Sequence, residues 1–173
     1  MARSSKFSGR NKAAPGGALM AAALLAGCAS TPGAGAPAQW LKLEQVEKRF
    51  AIFTNAPVAP AEGGTATFRL VYVYMPETVK FEEKFVGWQE YPAMTVNCEA
   101  NTVRVGPRTR YAPDGTAMMS DDNQAFVPIL GPSIQKVKAI ACDSAPLTGP
   151  YLIEDGAGWI DAARKHIAAT DPA

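Results

Sequence analysis

One histidine in 173 residues excludes any site built from several imidazoles, and it leaves His166 as the only imidazole available as a general base. Three cysteines are too few for a small scaffold held together by disulfides. Charge of one sign is equally scarce. The 17 Lys+Arg face 16 Asp+Glu, a formal net charge of +1, which excludes a nucleic-acid binder that works by bulk basic charge. Gly-x-Ser-x-Gly, His-Glu-x-x-His and phosphate-cradling Gly-Lys-Ser/Thr sequences are missing, and no internal repeat is visible. What remains is ordinary globular material: 47% hydrophobic and 19% charged residues, with 15 Gly and 14 Pro that predict many turns and at least one linker.

The N-terminus reads as an address. Arg3, Lys6, Arg10 and Lys12 make a basic region without an acid, and Ala18 to Ala26 follows as an apolar stretch. That stretch is about half of the ~20 residues a permanent transmembrane helix needs, so it fits the core of a secretory signal. It ends in Leu25-Ala26-Gly27-Cys28. This tetrad, at the end of a basic-then-apolar segment, resembles the lipobox of bacterial lipoproteins. The resemblance implies cleavage before Cys28 and acylation of its thiol, with 1–27 as signal peptide. Ala29 and Ser30 follow without an Asp at the second position, which by the same resemblance implies the outer membrane. The alternative is an ordinary cleaved signal with a free cysteine nearby. Losing the four basic residues leaves 13 against 16 acidic ones, a net charge of −3 for the mature chain. No nucleic-acid partner is expected of such a chain.

With Cys28 assigned to lipid, Cys98 and Cys142 remain, and in an oxidising compartment an even remainder reads most simply as one disulfide. A redox pair is the alternative, but that reading wants a close Cys-x-x-Cys spacing.

Residues 28–39 are small, Pro- and Gly-rich, and form a tether. Trp40 to Val46 suits a strand or a helix. Arg49–Thr54 reads as a strand, and Thr65–Tyr74 is the clearest one. In the latter, Thr67, Arg69, Val71 and Val73 share one face, and Phe68, Leu70, Tyr72 and Tyr74 the other. Both faces are largely apolar, which places the strand centrally. Val79–Glu90 is ambiguous. Ala93–Glu99 and Thr102–Val105 read as neighbouring strands, the second continuing to Tyr111 if Gly106-Pro107 allows. Pro113-Asp114-Gly115 is a turn, Asp121-Asp122-Asn123 a polar loop, and Ala125–Pro128 a short edge strand. A helix follows with Ser133 as N-cap and Ile134, Val137, Ile140 and Ala141 on one face. A second helix carries Trp159, Ile160, Ala163 and Ile167 on one face. Strands first and helices last predict an α+β fold: a single antiparallel sheet with helices packed on one face, one of them C-terminal, and one disulfide.

The run Val96-Asn97-Cys98-Glu99, Arg104, Tyr111 with Gly115 four residues on, Phe126-Val127-Pro128, Pro132-Ser133 and Cys142 resembles the surface-adhesin protein E family of small bacterial lipoproteins. The resemblance covers 40–142 and leaves 143–173 as a C-terminal extension. It implies an antiparallel sheet with helices, a Cys98–Cys142 bridge and, in some members, adhesion to host matrix proteins. Phe126 stands where the family pattern has Trp, and Ile129-Leu130-Gly131 is inserted before Pro132.

Candidate chemistry is sparse. His166, beside Arg164 and Lys165, reads as a solvated residue before it reads as a base. Asp121-Asp122 lacks the spaced acids of a calcium loop, so no metal is expected, and no cofactor. Glu82 and Glu83 are poorly placed for paired-carboxylate catalysis. Arg104, Arg108 and Arg110 stand out. If the strand continues past Pro107 they form a cationic ladder on one face, with Val103, Val105 and Tyr111 on the other. Such a ladder suits an acidic polysaccharide or an acidic protein; the alternative is a solvated face with cross-strand acids such as Glu99. The sequence therefore reads as a non-enzymatic outer-membrane lipoprotein, held to the membrane by its N-terminal lipid. It binds either an external protein or polysaccharide, or another envelope component from the periplasmic side.

Overall fold

The computed structural model describes residues 38–56, 58–149, 151–154 and 158–170. The signal sequence, Cys28 and all but the last two residues of the tether lie outside the described residues. So do Asp155 and the chain end from 171 on.

Seven antiparallel strands form the main sheet: β1 (Ala38–Val46), β2 (Phe50–Ala56), β3 (Thr65–Tyr74), β6 (Trp88–Asn97), β7 (Thr102–Tyr111), β8 (Ala117–Pro128) and β9 (Tyr151–Glu154). Their order across the sheet is β8-β7-β6-β3-β2-β1-β9. Apart from β9 the sheet is a meander, in which each strand pairs with its chain neighbour or with the next one past a small hairpin. That hairpin, β4 (Lys80–Phe81) with β5 (Lys84–Phe85), fills the segment the sequence left ambiguous. Its two central residues, Glu82 and Glu83, have φ of +46° and +63°, as the tight primed hairpin turn requires. They are turn residues.

β2 and β3 sit mid-sheet and are buried on both faces: Ala51, Ile52, Phe53, Leu70, Val71 and Val73 are all core. Alternation sends them to two different cores. Ile52, Phe68 and Leu70 join Leu41, Val96 and Val103 under α1 (Pro132–Cys142), through Val137 and Ala141. Phe53, Val71 and Val73 join Trp40 under α2 (Trp159–Ala169), through Trp159, Ile160, Ala163 and Ile167. Trp159 lies flat on Trp40 at 4.2 Å and meets Phe53 edge-on at 6.0 Å. The helices therefore cover opposite faces of the sheet, which corrects the expectation of both on one face. The physical reason is in β3: with large apolar residues on both faces, each face needs a cover.

The α+β architecture, with its large antiparallel sheet and C-terminal helix, and the Cys98–Cys142 bridge are as the sequence predicted. The bridge joins the residue after β6 to the last residue of α1, with Cα atoms 5.8 Å apart. Three boundaries differ. Trp40–Val46 resolves as strand, and β1 begins at Ala38, inside the expected tether. The chain after Cys142 is built into the same sheet, since β9 pairs antiparallel with β1 and α2 covers one face. The α1 N-cap is Gly131 with Pro132 in the first turn; Ser133 lies two residues past the cap position and donates its hydroxyl hydrogen to the Glu44 carboxylate on β1.

β6 carries Pro92 in the middle of the sheet, where a missing N–H ordinarily breaks the ladder. The ladder to β7 is interrupted between Glu90 and Thr95, and a bulge interrupts the pairing to β3 between Phe68 and Leu70. Pro92 falls inside both irregularities. This explains why the strand reads from Ala93 in the sequence but starts at Trp88.

Candidate functional site

The three arginines all lie on β7, which runs unbroken through Gly106-Pro107. They do not share a face. The register slips between Arg104 and Gly106, and Gly106 takes φ +68°. One slipped residue turns every later side chain over. Val103 and Val105 pack on the α1 side. Arg104 points the other way: it donates to Thr95 Oγ1 at 3.1 Å, and its guanidinium lies 5.7 Å from the Phe126 ring. Beyond the slip, Arg108 and Arg110 turn to the α1 side, toward Tyr91 and Gln89. Tyr111 turns to the α2 side and stacks on Trp88 at 4.7 Å. The expected ladder is thus split between the two faces, and Tyr111 does not join Val103 and Val105.

Each arginine is also engaged by its direct cross-strand neighbours. Arg108 makes a forked ion pair with Asp121 on β8, its register partner. That contact holds the Asp121 carboxyl below its usual range and keeps Arg108 firmly charged. Glu99, the acid the sequence suggested, is not the partner. Asp121-Asp122-Asn123 is expected as a loop from the sequence, but it lies mid-strand, where Asp121 is opposite Arg108 and Asp122 is opposite Pro107 and exposed. Arg110 donates from Nε to Gln89 Oε1 at 2.7 Å and lies 4.3 Å over the Phe81 ring of the β4–β5 hairpin. Beside this pair is a half-buried aromatic cluster, with Tyr72 set 5.7 Å from Tyr91 and Phe50 set 5.7 Å from Tyr74. Burial, and then Tyr91, pushes the Tyr74 hydroxyl up to about 12, with Arg110 and Arg108 pulling the other way. The Tyr74 phenol therefore stays protonated at neutral pH.

A cleft of about 420 Å³ opens on the other face, at the start of α2. Trp88, Glu90, Asp114, Trp159, Asp161 and Arg164 line it. Its outer wall, the 113–115 turn, lies hard against Gly87. A β-carbon there would meet the Ala112 carbonyl oxygen and Pro113 Cα at 2.8 Å. Glu90 is fixed from two sides, by Trp88 Nε1 at 3.1 Å and Arg69 Nη2 at 2.7 Å. Arg69 in turn lies 5.1 Å over Trp40. Sequence reading missed this cleft. Its side chains come from β6, the 113–115 turn and α2, and no local spacing announces such a meeting.

The third feature is the edge. β8 ends the sheet, is the longest strand at 12 residues, and is exposed over most of its length. Among the described residues no strand pairs with its outer side. Its C-terminal end and the residues just beyond carry three of the four exposed large apolar side chains among the described residues: Phe126 at 47%, Val127 at 38% and Leu130 at 85%.

His166, near the end of α2, has its Nε2 buried without a hydrogen-bond partner among the described residues. Burial, and then Lys42, push its pKa down; the residue as a whole is half-buried on α2. Among the described residues no group of His, Cys, Asp and Glu could hold a metal ion, and no helix is long and apolar enough to cross a membrane. No family model matches the sequence, and neither a curated protein nor a solved structure is significantly similar to it.

Proposed function

We propose that this chain is a lipid-anchored outer-membrane protein that works by binding, and that it takes up an extended segment of a partner protein along β8. The observation that carries the reading is the open 12-residue edge with Phe126, Val127 and Leu130 exposed at one end. A free edge offers unpaired backbone donors and acceptors to an incoming strand. Its apolar end adds contact area, and exposed Asp122 favours a basic residue in the partner. A protein ligand is favoured over an acidic polysaccharide, because the arginines that would hold the latter are divided between two faces and engaged there.

Kinship with the surface-adhesin protein E family remains part of this proposal. It is supported by the antiparallel sheet and by the Cys98–Cys142 link between strand and helix. The lipid anchor rests on Cys28 and its basic-then-apolar leader. Acylation contributes about 0.8 kcal/mol per buried CH₂, so several chains hold a protein stably on a bilayer. Cys28→Ser is expected to move the protein from the membrane to the soluble fraction; retention on membranes would contradict the anchor.

Binding at the edge is tested by placing a photo-reactive side chain at Leu130 and, as control, at Glu47 in living cells. A discrete adduct from 130, absent from 47 and lost when Val127 is changed to Asp, is the expected result. Equal labelling at both positions would overturn the edge reading. Protease shaving of intact against lysed cells then assigns the partner. Digestion on intact cells points to adhesion to an external protein, and protection until lysis points to another envelope component.

A further inference from the structure

The cleft beside α2 is lined by three carboxylates, and their charges are unequally matched. Glu90 is paired by Arg69. Asp161 is paired by Arg164 at 3.2 Å. Arg164 spends its other donors inward, with Nε toward the Tyr74 carbonyl at 3.3 Å and Nη2 toward the Gly87 carbonyl at 3.4 Å. No described ion pair engages Asp114. Its carboxyl accepts the Thr116 backbone N–H at 2.9 Å, which holds it ionised. The cleft therefore carries one negative charge more than its arginines neutralise.

The apolar part of the lining is aromatic. Trp88 is backed by Tyr111, stacked at 13° between planes, and its Nε1 is tied to Glu90. Trp159 is held flat against Trp40. Both indoles are therefore fixed before any ligand arrives, which lowers the ordering cost of binding. Indole faces attract cations through their ring quadrupole. Rigid indoles beside an unmatched carboxylate repel an anion; a neutral donor gains a hydrogen bond there, and a cation gains charge pairing and ring attraction besides.

We propose that this cleft binds the head of an organic cation, an ammonium or guanidinium group set against Trp88 with Asp114 as its counter-charge. The site lies on the α2 face and is separate from strand addition at β8. The cation approaches over the 113–115 turn. Gly87 lets that turn sit close enough to place Asp114 beside the indole. An exposed site of this kind binds weakly and is screened by salt.

The test uses the full mature chain and follows tryptophan emission. N-acetyl-arginine amide is titrated against its uncharged isostere N-acetyl-citrulline amide, with glucose as a neutral polyhydroxy probe. Saturable quenching by the arginine probe is expected, at least about tenfold tighter than by the citrulline probe, since one charge is all that differs. Asp114→Asn is expected to weaken it about fivefold, and Leu130→Asp to leave it unchanged. Asp114 is a surface turn residue, so this variant keeps the fold, and Trp88→Leu gives a second check. Equal binding of the two isosteres, preference for glucose, or unchanged affinity in a folded Asp114→Asn protein would each overturn the proposal. Loss of binding in Leu130→Asp would show that the ligand sits at the edge instead, and would overturn it as well.

Discussion

Gly106 sits at φ +68°, and a β-carbon added there would come within 2.5 Å of the Ala93 carbonyl oxygen. Both facts forbid a side chain: the first by backbone strain, the second by overlap with backbone that has nowhere to go. Gly106→Ala is therefore expected to cost about 1–3 kcal/mol or more, read as a lower denaturation midpoint at unchanged slope. The same residue decides where Arg108 and Arg110 point, because the slip beside it reverses the strand's faces. Gly106-Pro107 marks the place in the sequence, but its direction of effect depends on the partner strand. Asp121 was equally hard to place, since Asp-Asp-Asn is turn-like in composition. Its pairing with Arg108 becomes visible only once β8 is laid beside β7. At His166 the folded pKa is depressed, so its contribution to stability is present above the ordinary histidine value near 6.5 and is lost as pH falls through the folded value. Lys42 is the charged neighbour responsible beside burial. His166→Gln is expected to flatten the stability profile below about pH 6.5; an unchanged profile would place the titration elsewhere.

Among the elements, β3 was legible residue for residue, because ten residues of two-faced alternation leave few other readings. Both helices were legible from their apolar stripes for the same reason. The β4–β5 hairpin was not, because two-residue strands have no period to read. β8 was half legible: its apolar end showed as an edge strand, while its polar start had only pairing to β7 to define it. The Cys98–Cys142 bridge fastens α1 to the end of β6 across 44 residues of chain. On the chain-entropy model a loop of that size stabilises by about 4 kcal/mol. Cys98→Ser together with Cys142→Ser is expected to lose a large part of that, seen as a fall in Tm. Wild-type protein showing two alkylatable thiols without reductant would contradict the bridge. Because α2 packs on the opposite face, its core around Trp40 and Trp159 is expected to keep its fixed stacking in that variant, and the near-UV circular dichroism of the tryptophans reports this.

Across the whole molecule, a seven-stranded sheet with one helix on each face leaves its two lateral edges as the natural places for another chain. One edge is the four-residue β9 and the other is the 12-residue β8. Neither the division of the helices between two faces nor the cleft beside α2 could be read locally. Each depends on which segments the sheet order brings together. The proposed lipid anchor and the proposed edge site belong to one picture: a domain so tethered would be concentrated at a membrane and would gain from a weak, sequence-tolerant grip on a neighbouring chain. The most direct test is a photo-crosslinking scan over 117–130 in cells, one position at a time. Strand addition predicts an adduct to a single partner whose yield alternates with a period of two residues and is strongest from 125 to 130. A flat profile along β8, or adducts no more frequent than from Glu47 on the β1–β2 turn, would contradict the account.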